Sequence, residues 1–296
     1  MESITRRELL KRTAALAVGS SLLLSRPVTA WAQQKDATSK VVLIRNQKLF
    51  ANGASPDPEV CAAMLDEAVR TLTGQADAKA AWASIIHPND IVGIKTNEWN
   101  SFPTPPELNA LIKARVLATG VGEENVSVDD RGVKTNPVFR RATALINVRP
   151  MRTHAWSGVG SLLKNYIMFA EKPSDYHDDS CAPLATLQEL PAVKGKTRLH
   201  ILALLAPQFH HLAANTVTEE FTWKYSGLAV GFDPVAVDSV GLRIIEGKRR
   251  DYFGEDRPLN PPAKHIALAD TRYHLGTSDP SKIQLVKLGW DESSYV

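Results

Sequence analysis

The chain predicts an α/β fold, a mostly parallel sheet with helices on both faces, in one unit of two lobes around a cleft. Two observations carry this. Short apolar runs that read as strands alternate with segments whose apolar residues recur at helical spacing. Each apolar run also ends in a cluster of polar residues, as strands feeding a parallel sheet do. Once a 32-residue leader is set aside, 264 residues remain, enough for one large domain or two small ones. No internal repeat or convincing linker divides them, so residues 33–296 read as a single domain.

The elements follow in order. Val41 to Arg45 is a short buried strand, and Pro58 to Leu72 is a helix whose Val60, Met64, Leu65, Ala68 and Leu72 form one apolar stripe. Ile91 to Thr96 is the next strand. Pro105 to Thr119 is a helix with Thr104 as its cap and Gly120 as its stop. Val126 to Val128 and Ala144 to Val148 are further strands. Gly158 to Phe169 reads as a helix from Val159, Leu162, Leu163, Tyr166 and Ile167, and Leu199 to Leu205 as an apolar strand. Pro234 to Glu246 is a helix capped by Asp233, and Ile283 to Leu288 is a closing strand.

Residues 1–32 read as a twin-arginine export signal. Thr5-Arg6-Arg7-Glu8-Leu9-Leu10-Lys11 precedes an uncharged run from Thr13 to Leu24, and Ala30-Trp31-Ala32 supplies a cleavage site before Gln33. The apolar run falls short of the about 20 residues that span a bilayer, so no stable membrane anchor is expected. The implied partner is the twin-arginine export machinery, and the implied location is the periplasm.

The leader carries five basic and two acidic residues, so the mature chain holds thirty of each and no net charge. A nucleic-acid binder would retain a basic excess on one face; none is expected here. Cys61 and Cys181 would meet an oxidising compartment, where pairing is open, although cysteines so far apart in sequence are more often free. With two cysteines in the chain, an iron–sulfur cluster held by this chain alone is excluded.

Ligands of open parallel sheets bind beyond the carboxyl ends of the strands. The residues there are Lys95, Thr96, Asn97 and Glu98, then Asp129, Asp130 and Arg131, then Arg149, Arg152, Thr153 and His154. The densest segment runs from Thr153 to Asn165. Read as a helix start, its Gly158 and Gly160 would let an anion approach free backbone N–H groups, with Lys164 one turn on. His177, among Asp175, Asp178 and Asp179, is a candidate metal ligand. Asp238 flanks the apolar stripe of its helix, where a carboxylate needs a partner.

Several of these segments together resemble the domain of unknown function 362 family. They are Val92-Gly93-Ile94-Lys95-Thr96-Asn97, Thr153-His154 through Lys164-Asn165, His177, and Gly231 through Asp238, with Lys264 through Ala269 and Leu275-Gly276 as the tail. The chain lacks the ferredoxin-like cysteine module of many members, so the resemblance implies no electron-transfer role. In layout alone the order of elements is also similar to the nickel-pincer lactate racemase group.

The expectation is an exported enzyme that acts on a small anionic molecule by acid–base chemistry. His154 would be its acid or base, and Asp238 would orient a partner. Lys95, Asn97, Arg131, Gly158, Gly160, Lys164 and Asn165 would line the anion site. The cofactor is left open. The alternatives are a non-catalytic binding or carrier protein using the same cleft, and a metal-site protein.

Overall fold

The computed structural model describes residues 38–99, 101–214 and 216–296; residues 1–32, expected to be an export signal, lie outside the described residues. The strands are β1 (Ser39–Arg45), β2 (Val92–Lys95), β3 (Val126–Asp129), β4 (Ala144–His154), β5 (Gly158–Gly160), β6 (Thr197–Gln208), β7 (Gly227–Gly231) and β8 (Ile283–Gly289). They form one sheet in the order β3-β2-β4-β6-β7-β1-β8, with β5 hairpinned onto β4. β3, β2, β4 and β6 run parallel, as do β1 and β8, while β7 is antiparallel to both its neighbours. The carboxyl ends of β2, β3, β4 and β6 therefore share one edge.

Alternation along the central strands divides the core. Val42, Ile44, Ile201, Ala203, Leu228 and Val230 face α1 (Pro58–Thr73), α2 (Ala78–Ala83) and α3 (Pro106–Leu117). Val41, Leu43, Leu202, Leu204 and Ala229 face the opposite way, toward Val237, Val240 and Ile244 of a long helix over Pro234–Phe253 and Ile266 and Ala269 of a shorter one over Lys264–Thr271. Each such Val, Leu or Ile contributes roughly 1.5–3 kcal/mol on burial. A one-residue slip of any central strand would reverse its two faces, so register is strongly held. A third cluster joins Phe139, Leu145, Tyr166 and Leu184.

Helices thus cover both faces, as the pattern predicts, and most boundaries fall within a few residues of the sequence reading. Asp57 caps α1 by accepting from the Glu59 and Val60 N–H groups, and Asp233 caps the long helix through Val235 and Ala236. Thr104 has another role. Its hydroxyl accepts from the Asn97 N–H, and α3 starts at Pro106 without a side-chain cap.

Three expectations are corrected. β4 does not stop at Val148 but continues through His154, because this arginine-bearing stretch is buried along its whole length. Gly158 to Phe169 is not one helix. Gly158 has φ +72°, outside the helical region, and Gly160 pairs with Arg152 in the β4–β5 hairpin; one helical turn over Leu162–Asn165 and a 3-10 turn over Tyr166–Phe169 follow. The apolar stripe misled because this segment is buried on every side, which hides any period. β7, between two longer buried strands, was not expected at all. Cys61 and Cys181 are both free and buried, and they belong to different core clusters. Among the described residues no helix is long and apolar enough to cross a membrane.

Candidate functional site

The carboxyl end of β4 builds the site. A register shift between Pro150 and Arg152 interrupts the pairing of β4 with β6, which changes the strand's alternation and brings Arg149, Arg152 and His154 to one place. Gly160 on β5 looks into it. A Cβ there would lie 3.1 Å from Arg149 Nη2, 3.5 Å from Arg152 Cγ and 3.6 Å from His154 Cδ2. Any side chain at this position would crowd all three.

Arg149, Arg152 and Lys164 are all buried, and among the described residues none has a carboxylate within ion-pair distance. The Arg149 Nε has no hydrogen-bond partner. Arg152 donates from Nη1 to the Thr153 carbonyl at 3.0 Å, and its guanidinium lies 4.0 Å from the centre of the Trp99 ring. The Lys164 ammonium approaches the Cys181 sulfur at 3.5 Å. Burial disfavours each positive charge and mutual repulsion adds to it for Arg152 and Lys164. Arg149 is pushed down to about 10, Arg152 to about 9 and Lys164 to about 8.

His154 lies in the same field. Its Nδ1 accepts from the Trp156 N–H at 3.1 Å, so the neutral ring carries its hydrogen on Nε2. Burial first, then Lys164, Arg152 and Arg149, hold its pKa far below the usual histidine range. His265 is fully buried close by. It touches the Ser157 backbone without a well-formed hydrogen bond, and burial together with Lys164 and Arg149 pushes it down to about 3. At the rim, Trp156 is 47% exposed and stacks against His177, with ring centres 4.6 Å apart. His211 bonds Thr153 Oγ1 through Nδ1 at 2.9 Å.

Beneath this cleft lies a network with its donors occupied. Lys95, wholly buried, donates to the Thr96 carbonyl at 2.7 Å, to Asp130 and, at 3.4 Å, to Asn165 Oδ1. Asn165 donates in turn to the Lys95 and Val148 carbonyls and to Asn147 Oδ1. Asp238, 0% exposed, accepts from Ser161 Oγ at 2.7 Å and from the Leu162 and Leu163 N–H groups at 2.9 Å each. The N–H groups expected to greet an anion thus already hold the chain's own carboxylate.

The predicted residues therefore separate. His154, Gly160 and Lys164 meet in one buried cationic cluster. Lys95, Asn165 and Asp238 support it from below rather than presenting free donors. Gly158 is needed for packing, since a Cβ there would lie 2.7 Å from the Ala263 N and the Pro261 carbonyl. Asn97 donates from its amide to the Phe102 carbonyl and holds its own loop. Arg131 is exposed. His177 faces Trp156, and among the described residues no three His, Cys, Asp or Glu side chains gather in a metal-holding group.

The sequence marks Arg149 and Arg152 only as polar neighbours of a strand end and gives His265 no role of its own. The available signal was two arginines, three positions apart, directly continuing an apolar strand. Lys164, expected to hold an anion, is 3% exposed. No family model, curated protein or solved structure matches this chain.

Proposed function

We propose that this chain is an enzyme that seats a small anionic molecule among Arg149, Arg152 and Lys164 and moves a proton on it with His154. Arg149 carries the reading. Arg149 is 6% exposed, and its Nε has no hydrogen-bond partner. An unpaired buried cation costs several kcal/mol, and an anion entering the cleft would remove that cost.

The same anion would act on His154. Cancelling the field of Lys164, Arg152 and Arg149 raises the imidazole pKa and so eases protonation of the ring, against the burial that is the larger cause of its low value. Until then the ring stays neutral, with its Nε2–H as a donor. Asp238 is a positioning residue in this scheme, because it fixes the turn that carries Lys164. We further propose that the chain is exported, on the strength of the arginine pair and the Ala30-Trp31-Ala32 site. Kinship with the domain of unknown function 362 family rests on the quoted segments.

A panel of small carboxylates and phosphate esters tests the reading by thermal shift and by turnover. The expectation is one or more anions that raise the melting temperature and are consumed, with His154→Gln lowering kcat at least about 100-fold, as for loss of a general acid or base, while affinity stays within a few-fold. Affinity lost together with the absence of turnover in the parent would make the cleft a carrier's site. A cleft that binds no anion would overturn the proposal.

A further inference from the structure

We infer that the group seated in this cleft is a phosphate dianion, the phosphoryl group of a monoester or free phosphate, held where Arg149, Arg152 and His154 converge on Gly160. This rests on the reading of the cleft as an anion site and adds the ligand's charge and shape. Two observations lead to it.

The first is charge. The buried cations here are Lys95, Arg149, Arg152 and Lys164, and the buried carboxylates are Asp130 and Asp238. Lys95 pairs with Asp130, and the field of Asp238 reaches Arg149. Two positive charges remain uncompensated in a site from which water is largely excluded. A monoanion would leave one of them unmatched, whereas a dianion makes the site neutral.

The second is shape. Arg149 Nη2, Arg152 Cγ and His154 Cδ2 all lie within 3.6 Å of the position a Gly160 Cβ would take, so these side chains gather around one spot. Two carboxylates joined by a carbon chain place their charges apart and would want two separated cationic centres. A phosphoryl group concentrates two charges and three acceptor oxygens at one centre, which suits the Arg149 guanidinium fork and the His154 Nε2–H on either side of Gly160, with the charges of Arg152 and Lys164 near enough to act on the same imidazole.

Three probes separate these requirements, each tested by calorimetry on the full mature chain at pH 7.5. Methyl phosphate is a compact dianion, methyl sulfate has the same shape with one charge, and malonate has two charges held apart. The expectation is that methyl phosphate binds at least about tenfold tighter than either, and that its affinity falls as the pH is lowered from 7 toward 5 and the second phosphate ionisation, near pH 6, reverses. Arg149→Met should weaken methyl phosphate binding at least about tenfold without lowering the melting temperature of the unliganded protein, because one cation is removed from a buried cluster that holds more cations than carboxylates. Should that variant fail to fold, Arg152→Gln must show the same loss.

Malonate or methyl sulfate binding as tightly as methyl phosphate would overturn the phosphate assignment while leaving the anion site intact. Failure of all three to bind would overturn both. Retention of methyl phosphate affinity in both arginine variants would place the group elsewhere and overturn the inference.

Discussion

Asp238 shows how one side chain can stand in for a ligand. Its carboxylate takes the two backbone N–H groups and the hydroxyl that open the turn at Leu162, and burial pushes its pKa up to about 6. Removing it in Asp238→Ala leaves those donors buried without an acceptor and takes a negative charge away from Arg149. The expected cost is roughly 3–5 kcal/mol, read as a large loss of melting temperature, with Asp238→Asn falling between. A variant of near-parent stability would show the turn to be held by its packing alone. That Asp238 needed a partner was legible, because a carboxylate beside an apolar stripe is an anomaly. Lys164 was not, since its burial follows from Cys181 and the 3-10 turns around it, which no local pattern announces.

At the scale of elements, the β4–β5 hairpin does the work that a glycine-rich helix start was expected to do. Arg149, Arg152 and His154 break the apolar pattern of β4 within a strand that stays buried to its end, and sequences depart from local rules where function requires it. The departure hid the strand's true length from the sequence reading, and a register shift cannot be seen without the partner strand. Gly160→Ala isolates the hairpin's role. The new methyl group would meet the end of the flexible Arg149 side chain at 3.1 Å and no backbone atom within its closest contacts, so the fold should survive with a change of no more than about 1 kcal/mol. It would nonetheless fill the space between the cations, and anion affinity should fall at least about tenfold by calorimetry. Unchanged affinity would place the ligand away from β5.

For the whole molecule, the parallel sheet and its carboxyl edge were legible from the alternation of strand and helix signals; Lys95, His154, Lys164 and Asp238 are joined there through Asn165, Arg149 and the turn at Ser161, while Asn97, expected with them, holds its own loop. Charge balance was not legible. Residues 33–296, with equal numbers of acids and bases, still gather a local excess of cations in one buried place, because pairing depends on which side chains the sheet brings together and composition does not record it.

That excess makes proton uptake the most direct test of an anion-binding cleft. In the free protein Lys164 has a pKa of about 8, so at pH 8 a large fraction of it is unprotonated. A bound anion favours the charged form and raises the Lys164 pKa. Binding of methyl phosphate, which is already fully ionised at that pH, should therefore draw protons from solution. Calorimetry at pH 8 in two buffers of different ionisation enthalpy measures the number taken up. The prediction is a clear net uptake of a fraction of a proton per site, at least halved in Lys164→Met. Binding with no uptake, or with proton release, would contradict a ligand seated among these buried cations.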